Sequence, residues 1–192
     1  IKITIHAPEE DYREVVSFIK EDPLSLGALV TTHKIDLYNA CRDLFDFLDP
    51  YAQAFGELSS ISKKDGRLAG HAKDPISSGL ALEAFVPKNF WRDHGGEVFI
   101  MGAGGSARAI AAYLFDKKQG TNIPSKMYIS NRSTPRLEAM KEIMKKLCPD
   151  APIEYHHCPA LSVNDNILKK LKPFSLIVNP PGLGQDRPGT QL

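Results

Sequence analysis

The run Gly102-Ala103-Gly104-Gly105-Ser106-Ala107-Arg108-Ala109 constrains this chain more than any other segment. It follows an apolar stretch, Glu97 to Met101, that reads as a strand, and it opens a helical pattern from about Gly105 to Lys117. A strand that turns at once into a helix needs residues without obstructing side chains. Gly102 permits the tight turn, Gly104 lets backbone approach a ligand, and the small Ala107 allows close helix–strand packing. The free N–H groups at the helix start suit a pyrophosphate. The order predicts a dinucleotide-binding unit, with Gly102, Ala103, Gly104, Gly105, Ser106 and Ala107 as its cradle.

The next strand, Lys126 to Ser130, bears on which dinucleotide is held. An NAD site ordinarily sets an acid at the end of that strand to hold the ribose 2′-hydroxyl. This chain has Asn131-Arg132-Ser133-Thr134-Pro135-Arg136 there. No carboxylate repels a 2′-phosphate, and the guanidiniums of Arg132 and Arg136 can pair with one. NADP is the expected cofactor; the plain alternative is a solvated helix start with incidental arginines.

The remaining pattern alternates strands and helices. Residues 1–6 alternate apolar and polar side chains and predict a strand. Pro8 with Glu9, Glu10 and Asp11 makes a favourable first helical turn, and Tyr12, Val15, Val16 and Ile19 follow at helical spacing. A strand from Gly27 to Thr31 leads into a helix with Leu37, Cys41, Leu44, Phe45 and Leu48 on its buried face, ended by Pro50. Residues 58–72 predict a hairpin closed at Asp65-Gly66, a pair suited to positive φ. Asp74-Pro75 opens a helix through Phe85, and a break from Pro87 to Gly96 precedes the glycine-turn unit. A helix from Pro135 to Leu147 and a strand from Ser175 to Asn179 continue that unit. The expectation is an α/β chain: an N-terminal α/β substrate domain over residues 1–78, then a Rossmann-type doubly wound NADP-binding domain over residues 79–192.

Bulk properties exclude some function classes. A formal net charge of +1 gives no general pull toward nucleic acid or acidic lipid. No apolar run approaches the roughly 18 residues that span a bilayer. The 3 cysteines show no metal or redox spacing and suit a reducing cytoplasm. His156-His157 has no ligand partner at helical spacing, so no metal is expected. The chain opens directly into a strand and stops in a polar run, Gly184 to Gly189, as a piece of a longer protein would.

Lys34 and Asp74 each close a short segment, Gly27-Ala28-Leu29-Val30-Thr31-Thr32-His33-Lys34 and Gly70-His71-Ala72-Lys73-Asp74. Taken alone, a lysine is ordinarily a solvated charge, and Asp before Pro is a good helix N-cap. Hydride transfer from an alcohol nevertheless needs a group that takes up and returns the hydroxyl proton. A lysine held by an aspartate can do both, with desolvation lowering its pKa and the carboxylate raising it.

These segments, in this order, resemble the shikimate dehydrogenase family across nearly the whole chain. The family's G-x-N-V-T-x-P-x-K is matched by Gly27 to Lys34 with one residue fewer, its G-x-N-T-D by Gly70 to Asp74, and its N-R-T by Asn131-Arg132-Ser133. Asn179-Pro180-Pro181-Gly182-Leu183-Gly184 is similar to its N-A-T-P-L-G segment near the nicotinamide. The resemblance implies a two-domain α/β protein with its active site in the interdomain cleft and Lys34 and Asp74 as the catalytic pair. It implies Thr31 and Ser59 at the substrate and Asn131, Arg132, Ser133, Asn179 and Pro180 at the cofactor; apart from it, Arg136 joins the cofactor set by its guanidinium, and Lys73 reads either as an anchor for a substrate carboxylate or as a plain surface charge. The implied activity is NADP-dependent oxidation of shikimate or a related small hydroxy acid, in a cytoplasmic monomer or homodimer. Leu29, Ser59 and Ala72 stand where the family carries substrate-holding asparagines. A buried hydroxyl without its partner costs roughly 1 to 3 kcal/mol, so these departures count against shikimate itself. A related dehydrogenase for a folate derivative or an amino-sugar-like acid stays open, as does a catalytically silent NADP- or metabolite-sensing domain.

Overall fold

The structure, a computed structural model, describes residues 7–180, so the strand expected over residues 1–6 and the segment from Pro181 lie outside the described residues. The chain divides into two units, one ending at Asp74 and one starting at Pro75.

The first unit begins with α1 (Glu9–Glu21), which has three acids in its first turn and buries Tyr12, Val16 and Ile19. β1 (Gly27–Leu29) is shorter than expected, leaving Val30 and Thr31 beyond it. α2 (Lys34–Cys41) then runs into a short 3₁₀ turn, Arg42–Leu44, and the chain extends again as β2 (Phe47–Leu48). The long helix expected through Leu48 and closed by Pro50 is therefore incorrect. Pro50 opens α3 (Pro50–Phe55) instead of stopping α2. The cause is local: the Asp49 carboxylate accepts the Ala52 N–H at 2.7 Å, and Pro at the first helical position needs no partner. β3 (Ser60–Lys64) and β4 (Arg67–His71) form the expected hairpin, with φ of 51° at Asp65 and 76° at Gly66. The sheet order is β1-β3-β4-β2, antiparallel except for the β2–β4 pair.

α1 is fastened to the end of α2 by Arg13, whose guanidinium donates to Ala40 O at 2.6 Å and to both Asp43 oxygens at 2.7 and 2.9 Å. That fork holds the Asp43 carboxyl down at about 2, below its ordinary 3.8.

The second unit starts within α4 (Asp74–Glu83), which ends sooner than the expected Phe85. α5 (Phe90–His94) occupies part of the expected break. β5 (Val98–Met101), α6 (Gly105–Leu114), β6 (Met127–Asn131) and α7 (Thr134–Leu147) follow as the sequence predicts, within a few residues at each end. β7 (Ile153–His157) and α8 (Leu161–Leu168) were not anticipated, and β8 (Leu176–Val178) closes the order β7-β6-β5-β8, all parallel. This is the order of the first four strands of a Rossmann sheet. Phe99, Ile100, Met127 and Ile129 from the sheet, with Met140 and Met144 from α7, are fully buried and make the core. The fold is α/β with a Rossmann-type second unit, as the sequence predicts.

Two consequences are measurable. Gly27 has φ +147°, and a Cβ there would lie 2.1 Å from Ile61 O, on the strand that pairs with β1. Gly27→Ala is expected to cost about 3 kcal/mol, read as a lowered urea midpoint. The second follows from Asp43. A carboxyl held low in the folded state stabilises above its unfolded value and loses that contribution as pH falls through its folded value. The stability gap between wild type and Arg13→Gln should therefore hold steady above pH 5 (roughly) and close between 3.8 and about 2.

Candidate active site

Lys34 is the first residue of α2, placed there by a residue in the left-handed region, His33 at φ 59°. The buried Tyr12 hydroxyl of α1 lies 3.1 Å from His33 Nδ1, and Lys34 O accepts the Leu58 N–H at 3.0 Å. Both sides of the helix start are thus fastened to neighbouring elements. From it the Lys34 ammonium donates to Asp74 Oδ2 at 2.6 Å across a 40-residue separation. The Lys34 side chain is 23% exposed and that of Asp74 37%, so the pair is sheltered yet open to a solute.

Asp74 is held by the turn that follows β4. The Ser59 hydroxyl accepts the Lys73 N–H at 2.7 Å and donates to His71 O at 3.3 Å. One residue earlier, the Ala72 N–H donates to Asp49 Oδ1 at 3.3 Å. Asp49 is 8% exposed, and its other oxygen lies 3.4 Å from His71 Nδ1 and 4.0 Å from Lys73 Nζ. Asp49 and His71 were not anticipated as supports of the site. The signal was present in Asp49-Pro50, which is the same helix-start pair as Asp74-Pro75.

The other residues expected at the substrate divide. Thr31 is exposed just past β1, and Lys73 is exposed with its ammonium at the 4.0 Å limit from Asp49. Ser59 is buried at 4% exposure and spends its hydroxyl within the protein. Leu29 is 79% exposed, and Ala72 is fully buried.

In the second unit the expected cofactor residues gather at the carboxyl ends of neighbouring strands. The glycine turn follows β5; Asn131, Arg132 and Ser133 follow or end β6; Asn179 and Pro180 follow β8. A Cβ on Gly102 (φ +157°) would lie 3.6 Å from the Pro180 ring, so the ends of β5 and β8 adjoin directly. This is the crevice outside the carboxyl ends of the strands where open α/β sheets take ligands. Among the described residues, Cβ atoms built on Gly104 and Gly105 meet nothing within 4 Å, and no side chain caps the start of α6. Ala107 is buried under that helix. Space, free N–H groups and a helix N-terminus fit a pyrophosphate, and the exposed Arg132 and Arg136 fit an added phosphate on the ribose.

A Rossmann-type unit preceded by an α/β unit carrying a lysine–aspartate pair is the class these features define. The chain is 31% identical over 182 residues to shikimate dehydrogenase (NADP⁺) of Streptococcus thermophilus, covering 93% of this chain and 57% of that protein. A solved shikimate dehydrogenase in complex with NADP⁺ is 26% identical with a TM-score of 0.62, covering 92% of this chain and 55% of that one. Shikimate 5-dehydrogenase of Listeria monocytogenes, solved with shikimate and NAD, shares the fold at 19% identity and a TM-score of 0.67, covering 93% and 57%. No protein-family model matches the chain. The likeness to shikimate dehydrogenases read from the motifs is borne out by these relatives, and the chain spans under two thirds of their length.

The supports of Asp74 can be tested separately from the pair. Ser59→Ala leaves the Lys73 N–H without its acceptor and is expected to cost about 1 to 2 kcal/mol of stability. Chemical unfolding of the variant beside wild type reads that loss.

Proposed function

We propose that this chain belongs to an NADP-dependent dehydrogenase of shikimate dehydrogenase type, acting on a ring hydroxyl of shikimate or a related small hydroxy acid. The observation that carries the reading is the 2.6 Å bond between Lys34 and Asp74, in a chain that also holds an open glycine turn at the carboxyl edge of a parallel sheet.

Bound NADP supplies the hydride acceptor, or in its reduced form the donor. Gly102, Ala103, Gly104, Gly105, Ser106 and Ala107 would hold its pyrophosphate, and Asn131, Arg132, Ser133 and Arg136 its adenosine phosphate, with Asn179 and Pro180 toward the nicotinamide. The chain's own chemistry is proton transfer. Lys34 Nζ as the neutral amine, its extra proton passed to Asp74 or solvent, takes the substrate hydroxyl proton on oxidation, and as the ammonium it returns one on reduction. Asp74 keeps the ammonium aimed and shares the proton. Thr31 and Lys73, both exposed, would bind a hydroxyl and a carboxylate of the substrate. Residues 1–78 would then form the substrate domain and residues 79–192 the cofactor domain, in a cytoplasmic monomer or homodimer.

A second reading is favoured by one observation: Leu29, Ser59 and Ala72 present no spare amide where family members carry asparagine. Leu29 is apolar, Ala72 is buried, and the Ser59 hydroxyl already has two partners. A substrate hydroxyl buried without its partner costs roughly 1 to 3 kcal/mol, so several such losses together weaken a polyhydroxy ring. The substrate on that reading is a hydroxy acid with fewer or differently placed hydroxyls.

The full-length protein, mixed with NADP⁺ and shikimate, is expected to form NADPH. Lys34→Ala is expected to lower turnover by about 10²- to 10⁴-fold with the Kd for NADP⁺ unchanged. Turnover only with another hydroxy acid would select the second reading. Tight NADP⁺ binding without turnover of any hydroxy acid would leave a sensing domain.

A further inference from the structure

The paired histidines Cys158 follows, His156 and His157, have no part in the reading above, yet His157 touches its cofactor segment. His157 is the last residue of β7 and stands opposite Asn131, the last residue of β6. Its Nε2 lies 3.1 Å from Arg132 O. A carbonyl oxygen can only accept, so Nε2 carries the hydrogen and donates.

That bond completes a set of three. Asn131 O accepts the Cys158 N–H at 2.9 Å, Arg132 O accepts from His157, and Ser133 O accepts from the Asn131 side chain at 3.2 Å and from the Leu137 N–H at 3.2 Å. Every carbonyl in the segment that carries Arg132 is thus bound, and two of the donors come from β7 and the residue after it. In a planar trans peptide the C=O and the following N–H point opposite ways. Fixing Arg132 O toward His157 therefore turns the Ser133 N–H away from β7. The same bond sets the peptide plane next to the Arg132 Cα, from which the guanidinium departs.

We infer that His157 is a positioning residue for NADP specificity: it orients the Arg132–Ser133 peptide so that the Arg132 guanidinium and the Ser133 N–H meet the 2′-phosphate together. The inference rests on the reading of residues 131–136 as an NADP site. His157 acts through Arg132 and Ser133, so its loss weakens the contact to the one phosphate that NADP has and NAD lacks. The pyrophosphate cradle lies on β5 and α6 and is left as it was.

The test is calorimetric titration of the full-length protein with NADP⁺ and with NAD⁺, without substrate. Wild type should prefer NADP⁺. His157→Ala is expected to raise the Kd for NADP⁺ about three- to tenfold, the loss of one hydrogen bond, and to leave the Kd for NAD⁺ within about twofold. His157→Gln, whose amide nitrogen can reach the same carbonyl, is expected to restore most of the preference. Equal weakening toward both nucleotides, no change in His157→Ala, or no recovery in His157→Gln overturns the inference while the NADP reading stands. A wild-type protein without preference for NADP⁺ overturns both, and is recognised before any variant is made.

Discussion

The Asp49 carboxylate is the constraint on which the first unit depends. A carboxylate at 8% exposure is tolerated only when its oxygens are occupied. Asp49 meets the Ala52 N–H at the start of α3, the Ala72 N–H in the turn after β4, and the His71 and Lys73 side chains beside it. Its own N–H donates to Gly70 O at 3.0 Å, which extends the parallel pairing of β2 with β4. One residue therefore ties a sheet edge, a helix start and the turn leading to Asp74. Removing it would leave two N–H groups unpaired at once, so its effect on Asp74 and its effect on the fold come from the same bonds.

The second unit reaches its geometry by a different route. Parallel strands require crossovers, and right-handed crossovers place successive helices on one face until the strand order reverses. Here the reversal falls between β5 and β8, so the turn after β5 opens at the crevice. Gly102 with φ +157° and Pro180 close to it are consequences of that packing. Among the described residues no side chain caps the start of α6, so its N–H groups are left to suit a phosphate.

Much of this was legible in the sequence because it rests on local physics. The hairpin at Asp65-Gly66 needs only two residues that accept positive φ, and the strand–turn–helix at Gly102 needs only periodicity and small residues. The errors arose where a local signal has two meanings. Pro50 reads as a stop because apolar residues continue to Leu48 at helical spacing, but Phe47 and Leu48 are a strand whose partner, β4, lies about 20 residues away. β7 is illegible because Ile153-Glu154-Tyr155-His156-His157 lacks the apolar density of a central strand, as suits a strand at the edge of the sheet that the described residues form. The supports of Asp74 were hidden for a related reason: Asp49, Ser59 and Ala72 are joined only by folding.

The motif residues do not all bear equally on function. Gly27 and Gly70 open the two family-like segments, yet packing alone accounts for both. A Cβ on Gly27 would strike Ile61 O, and one on Gly70 would lie 2.5 Å from Leu58 in the core. Any protein with this sheet needs small residues there, whatever it binds. Asp74 has a structural use as well, at the start of α4. Lys34 has none of this kind. Its side chain is partly exposed, and a part-exposed ion pair nets about 0 to 1 kcal/mol once the entropy and hydration given up are counted. Stability thus gives little reason for a lysine to be aimed at Asp74 from the first turn of α2, whereas proton exchange with a bound hydroxyl requires such a group in reach of solute.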